Sequence, residues 1–184
     1  MTEAYLEELR DRVRSDRRAV TAPLLTFGAL VVAHVLLAAA VSAATESAMA
    51  THLTALVYWP LAGALGLFAL WQHARHVAAR DGVGEGPRSY RPITIGYVVS
   101  VPLLAILFVP VLFVGVFAPL VWPAAVLYAV ALKQHTRELR TVAKVLAFVG
   151  CLGGLAALSG NPWLFSGVEL VGGLALLAWG LARR

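Results

Sequence analysis

The stretch Ile93–Leu132, ITIGYVVSVPLLAILFVPVLFVGVFAPLVWPAAVLYAVAL, runs for 40 residues without an Asp, Glu, Lys, Arg or His. A helix rises about 1.5 Å per residue and a bilayer's hydrocarbon core is about 30 Å thick, so about 20 residues cross it. The stretch is twice that length. It predicts two membrane-spanning helices joined by a tight turn. Pro110, Gly115 and Pro119 cluster near its middle and set the turn between Val109 and Pro119.

The same arithmetic applied to the flanks gives four more spans. The expected set is 23–44, 53–71, 93–109, 116–132, 142–159 and 162–182. Residues 1–22 form a basic cytoplasmic helix, and residues 23–184 form one transmembrane bundle. The predicted fold is all-α, with six transmembrane helices arranged as three consecutive hairpins.

Composition agrees. Of 184 residues, 60% are apolar, 14% are charged and 16 are glycine. With glycine included the apolar share is about 69%, against about 45–50% for a soluble domain. A soluble chain of this size could not hide so much apolar surface. A soluble enzyme, a disordered tail and a disulfide scaffold are therefore excluded. Cys151 is the single cysteine, so the chain forms no internal disulfide and no redox pair. The richness in Arg, Ala, Val, Leu and Gly has the flavour of a bacterial chain.

The net charge of +5 matters less than its placement. Arg10, Arg12, Arg14, Arg17 and Arg18 precede the first span. Arg75, Arg80, Arg88 and Arg91 lie between the second and third. Lys133, Arg137, Arg140 and Lys144 lie around the fourth-to-fifth connection, and Arg183 and Arg184 end the chain. With six spans all 15 fall on one side, and the rule that positive loops stay inside makes both termini cytoplasmic. The expected location is the plasma membrane, and no nucleic-acid partner is implied. Val41-Ser42-Ala43 has the form of a signal-peptidase site. However, the apolar run before it exceeds a signal core of about 7–15 residues, and cleavage is not expected.

Residues 2–18 predict an amphipathic helix with Tyr5, Leu6, Leu9 and Val13 on one stripe. Glu3, Glu7 and Glu8 near its start and the arginines near its end suit the helix dipole. Arg10, Arg14, Arg17 and Arg18 are candidate contacts for anionic lipid or a partner. The Gly-rich 81–87 segment lacks the Lys-Ser/Thr and preceding strand of a phosphate loop and reads as a connector. Trp59-Pro60 with Gln72-His73, and Trp122-Pro123 with Gln134-His135, have nearly equal spacings. They suggest a repeat in which Trp and Pro mark one membrane interface and Gln, His and Arg the other.

Glu169 is the residue that composition does not explain. A charged group about two turns into a span is costly, by at least about 2.5–3.5 kcal/mol. It should face the bundle interior and either hold a proton or pair. Ser166 is one candidate neighbour. His34, midway along the first span at a similar depth, is another, provided the first and sixth helices touch. His73, His76 and His135 form a candidate three-nitrogen metal site near the cytoplasmic interface. Ala143, Ala147, Gly150, Gly154 and Ala157 make a small-residue stripe suited to close helix packing, with its own sixth helix favoured as neighbour over another subunit.

No nucleophile–base constellation occurs, so a non-enzymatic protein without a cofactor is expected. The leading reading is an accessory or regulatory subunit. It would act through intramembrane helix packing and a basic cytoplasmic face, with the bilayer and a membrane or cytoplasmic protein as partners. The alternatives are a small transporter or channel with a proton or cation site at Glu169 and His34, and a metal- or cofactor-binding membrane subunit.

Overall fold

A computed structural model describes residues 3–45, 47–80, 89–107, 118–158 and 162–183. Every regular element among them is an α-helix. They are α1 (Glu3–Thr45), α2 (Ala48–Arg80), α3 (Arg91–Leu107), α4 (Val121–Lys133), α5 (Arg137–Leu158) and α6 (Pro162–Ala182). The expected turn between Val109 and Pro119 falls mostly outside the described residues, as does Ala157's side chain.

The N-terminal basic helix is not a separate unit. It runs unbroken into the first apolar segment as the 43-residue α1, with Pro23 inside it. Between Arg18 and Leu25 the sequence has no Gly, Asn or Asp to stop a helix, and Pro23 removes only one backbone donor. Pro23 and Leu24 are buried in the bundle. Likewise α2 does not end at Trp71 but continues to Arg80. Val20–Thr45 and Met49–Arg80 are each long and apolar enough to cross a membrane.

The contacts between helices extend beyond three consecutive hairpins. The most extensive contact joins the two ends of the chain, α1 against α6. α1 also packs on α2, α2 on α3, α4 on α5 and α5 on α6, while α3 touches α4 only slightly. The consecutive pairs α1–α2 and α5–α6 are thus in contact as hairpins would be, and further contacts join them to their neighbours.

The α1–α6 contact is antiparallel and runs as a ladder. On α1 the side chains of Leu24, Phe27, Val31 and His34 are buried, at 3-4-3 spacing. On α6 the matching stripe is Glu169, Gly173, Leu176 and Gly180, at 4-3-4 spacing. Glycines set the distance. A Cβ on Gly28 would lie 3.0 Å from the Leu177 backbone N and 3.1 Å from the Gly173 carbonyl. One on Gly173 would lie 2.8 Å from Val31 Cγ1, and one on Gly180 2.8 Å from Leu25 Cδ2. Small residues allow backbones this close, where van der Waals contact accumulates.

Two phenols tie further pairs. Tyr58 on α2 donates to the Leu30 carbonyl of α1 at 2.7 Å, and Tyr97 on α3 donates to the Trp59 carbonyl of α2 at 3.2 Å. Gly63 leaves the space that the Tyr97 hydroxyl occupies. The exterior is apolar: Leu36, Val57, Leu65, Phe148 and Val171 are all well exposed.

Gly28→Ala should destabilise the fold by about 1–3 kcal/mol, because neither contacting backbone atom can yield. Gly96→Ala, with nothing within 4 Å of its would-be Cβ, should be neutral or stabilising by up to about 1 kcal/mol. Thermal denaturation of the two variants in detergent checks the contrast; equal losses would contradict the ladder.

Candidate functional site

At the end of the ladder nearest the start of α6, His34 meets Glu169. The imidazole Nδ1 and carboxylate Oε1 are 2.5 Å apart. The residues are 2% and 3% exposed, so the contact is buried in the bundle. The spacing explains the meeting. His34 is three residues past Val31 on the buried stripe of α1, and Glu169 is four before Gly173 on that of α6. The glycine contacts hold both stripes in register. Ser166 is only partly buried, and nothing among the described residues joins it to Glu169.

α2 supplies the far wall. The Tyr58 ring centre lies 5.0 Å from that of His34, and the Trp59 ring centre 5.3 Å. The two aromatic rings pack edge-on against each other. His34 Nε2 and Trp59 Nε1 are both buried without a hydrogen-bond partner among the described residues. A buried polar nitrogen left unpaired costs about 1–3 kcal/mol. On the other side Glu169 borders a small crevice shared with Pro119 and Leu120 before α4, Gly150 and Gly153 on α5, and Val168 on α6. It has room for about one water molecule.

The repeat of Trp-Pro pairs puts Trp59 at a membrane interface. It lies eleven residues into α2, 1% exposed, against His34. Trp122 does open its helix, so the two Trp-Pro pairs are not equivalent. Gln134 caps the end of α4, where the interface reading has it, but its side chain is turned inward. It is 2% exposed and adjoins Tyr90, whose phenol burial pushes up and the Gln134 hydrogen bond pulls down.

The candidate metal site does not assemble. His73, His76 and His135 are all exposed, and among the described residues no three His, Cys, Asp or Glu side chains gather to hold a metal. His135 has a backbone task. Its φ is 55°, and it ends α4: its own N–H bonds the Leu132 carbonyl, and that of Thr136 bonds the Ala131 carbonyl. This is the paired hydrogen-bond pattern that closes many helices, usually with Gly in the left-handed position.

The small stripe on α5 is spent within the chain. A Cβ on Gly150 would lie 2.9 Å from Leu120 Cβ and 3.2 Å from the Val121 N. One on Gly153, a glycine outside the expected stripe, would lie 3.1 Å from Val168 Cγ1 of α6. Ala143 and Gly154 are buried and Ala147 partly so. Sequence reasoning missed Gly28, Gly173 and Gly180, which do the closer packing. Their signal was the seven-residue step from Gly173 to Gly180 in line with Glu169. Side chains of Arg10, Arg14, Arg17 and Arg18 lie outside the described residues. Arg183 pairs with Glu138 at 2.9 Å, but both are exposed and the pair contributes little.

Comparison with known proteins finds no match: no family model fits the chain, and no curated protein or solved structure is significantly similar to it.

Removing one member of the buried pair leaves the other unpartnered. His34→Leu or Glu169→Leu alone should cost about 3–5 kcal/mol, and the double variant clearly less than the sum. Unfolding in graded denaturing detergent measures this coupling; simple additivity would show that the two groups act independently. His135→Gly should stabilise the α4–α5 turn by up to about 1 kcal/mol by relieving the left-handed conformation, whereas lost stability would give the imidazole a role beyond the turn.

Proposed function

We propose that the chain is a six-span protein of the plasma membrane with both termini in the cytoplasm, and that it is a small transporter or channel whose working site is the His34–Glu169 pair. Several observations support the membrane setting. Two helices have spanning length, the exterior is apolar, and polar groups are turned inward. A bundle with Leu, Val and Phe outside and a His–Glu pair inside suits a lipid solvent. The one-sided placement of Lys and Arg supports the orientation.

The observation that carries the functional reading is the 2.5 Å contact between two ionisable side chains on the first and last helices. Ionisable groups inside a membrane bundle are expensive and mark ion or proton pathways by default. Packing alone would be served at lower cost by apolar side chains. Catalysis is not part of this reading.

A second reading has its own support. α1 is 43 residues long, and a span needs about 20. The surplus carries Arg10, Arg14, Arg17 and Arg18 and suits anionic lipid or a cytoplasmic partner, as an accessory subunit would require.

Liposomes containing the purified protein should dissipate an imposed pH gradient, and Glu169→Gln should abolish the flux while the protein keeps its helicity. Equal flux from both proteins would reject the transport reading. Co-purification of a stoichiometric partner that is lost on removing residues 1–18, with no flux, would favour the accessory reading.

A further inference from the structure

From the geometry around Glu169 we infer that the site binds a proton and not a metal cation, and that the proton reaches it through the crevice between the start of α4, α5 and α6. The inference rests on the reading of His34–Glu169 as the working site and specifies its ligand and its route of access.

Coordination chemistry decides the ligand. Ca2+ and Mg2+ take about six or more oxygen ligands. Among the described residues Glu169 is the single carboxylate at the site, and its facing partner is a nitrogen. The other crevice walls are Pro119, Leu120, Gly150, Gly153 and Val168, which bring no charged or hydroxyl side chain. Room for about one water cannot hold a hydrated metal ion. A proton needs neither shell nor volume.

The pair can store that proton. With Glu169 as carboxylate and His34 neutral, Nδ1–H donates to Oε1 and Nε2 is bare. Hydronium in the crevice gives up one proton and leaves as water. The pair then holds it on the free carboxylate oxygen of Glu169, as a carboxylic acid beside a neutral imidazole whose Nδ1–H still faces Oε1 and whose Nε2 stays bare. The pair is then neutral overall, the state a low-dielectric interior favours.

Among the described residues the surroundings add no competing charge. From α2 the titratable neighbour is Tyr58, whose hydroxyl is engaged with the Leu30 carbonyl. α4 and its leading turn present Pro119 and Leu120, and α5 presents Gly150 and Gly153. The glycines matter for access, because side chains there would close the crevice: a Cβ at Gly153 already comes within 3.1 Å of Val168 Cγ1.

The test uses the full-length protein in lipid nanodiscs. Infrared difference spectra and NMR of 15N-labelled histidine follow the carboxyl group and the His34 ring across about pH 3–8, where carboxylates and imidazoles titrate. One protonation step visible on both groups is expected, with the same midpoint in Na+, K+ or Li+ and absent in Glu169→Gln. A midpoint that falls as Na+ rises, or no titration of the pair, would overturn the proton assignment. Should Glu169→Gln fail to fold, Glu169→Asp and His34→Gln should each displace the step.

For the route, Gly153→Ala and Val168→Leu narrow the crevice from opposite walls. Each should slow hydrogen–deuterium exchange at the carboxyl group by about tenfold or more, since packed side chains must then part before water enters. Unchanged exchange in both variants would overturn the crevice as the path. The outcomes separate from those of the transport reading. A sodium-independent titration without liposome flux sinks transport and keeps the proton site. A Na+-shifted titration with flux lost in Glu169→Gln keeps transport and sinks the proton assignment.

Discussion

The backbone-to-backbone approach of α1 and α6 is the constraint on which the rest depends. Gly28 sits against the Leu177 nitrogen and the Gly173 carbonyl, with no space for even a methyl group. That approach closes the ring between the first and last helices. It also sets the rotation of both helices, so that the next positions along the two stripes, His34 and Glu169, have to meet. A looser interface with alanine or leucine at these positions would hold the helices farther apart and leave two buried ionisable groups without each other. In the proposed lipid setting the hydrophobic effect does not pull helices together, so such dense packing carries the association.

Around that contact the polar chemistry is inside and the apolar surface outside. Tyr58 and Tyr97 each spend their hydroxyl on a backbone carbonyl of a neighbouring helix. Their buried oxygens are thereby satisfied, and each bond fixes one helix against the next. His34 Nε2 and Trp59 Nε1 stand apart from this pattern, because each is buried with no partner among the described residues.

Some of the site was legible from residues alone. An acid in an otherwise apolar segment must be turned inward and paired, and Glu169 and His34 could be named as a pair on depth alone. Their stripes were also readable: Leu24, Phe27, Val31 and His34, and Glu169, Gly173, Leu176 and Gly180, follow helical spacing. The small residues of 143–157 drew attention because they form a denser run, but the tightest approach uses three glycines scattered over two distant helices. The burial of Trp59 and Gln134 and the left-handed turn at His135 were not legible in the residue types, for one reason. Interface preference describes where a residue type is comfortable, whereas helix length, burial and the left-handed turn at His135 were set by neighbours that the residue type does not reveal.

By itself the sequence determined the helical class, the approximate apolar segments and the need for Glu169 to be buried. These follow from local rules: rise per residue and transfer cost. Only the tertiary structure decided that α1 is one continuous helix, that α1 and α6 close on each other, that Trp59 walls the His34–Glu169 site and that the three exposed histidines form no metal-holding group among the described residues. Those outcomes depend on rotations and distances between helices. They come from the sum of many weak contacts along whole faces, and no local rule contains them.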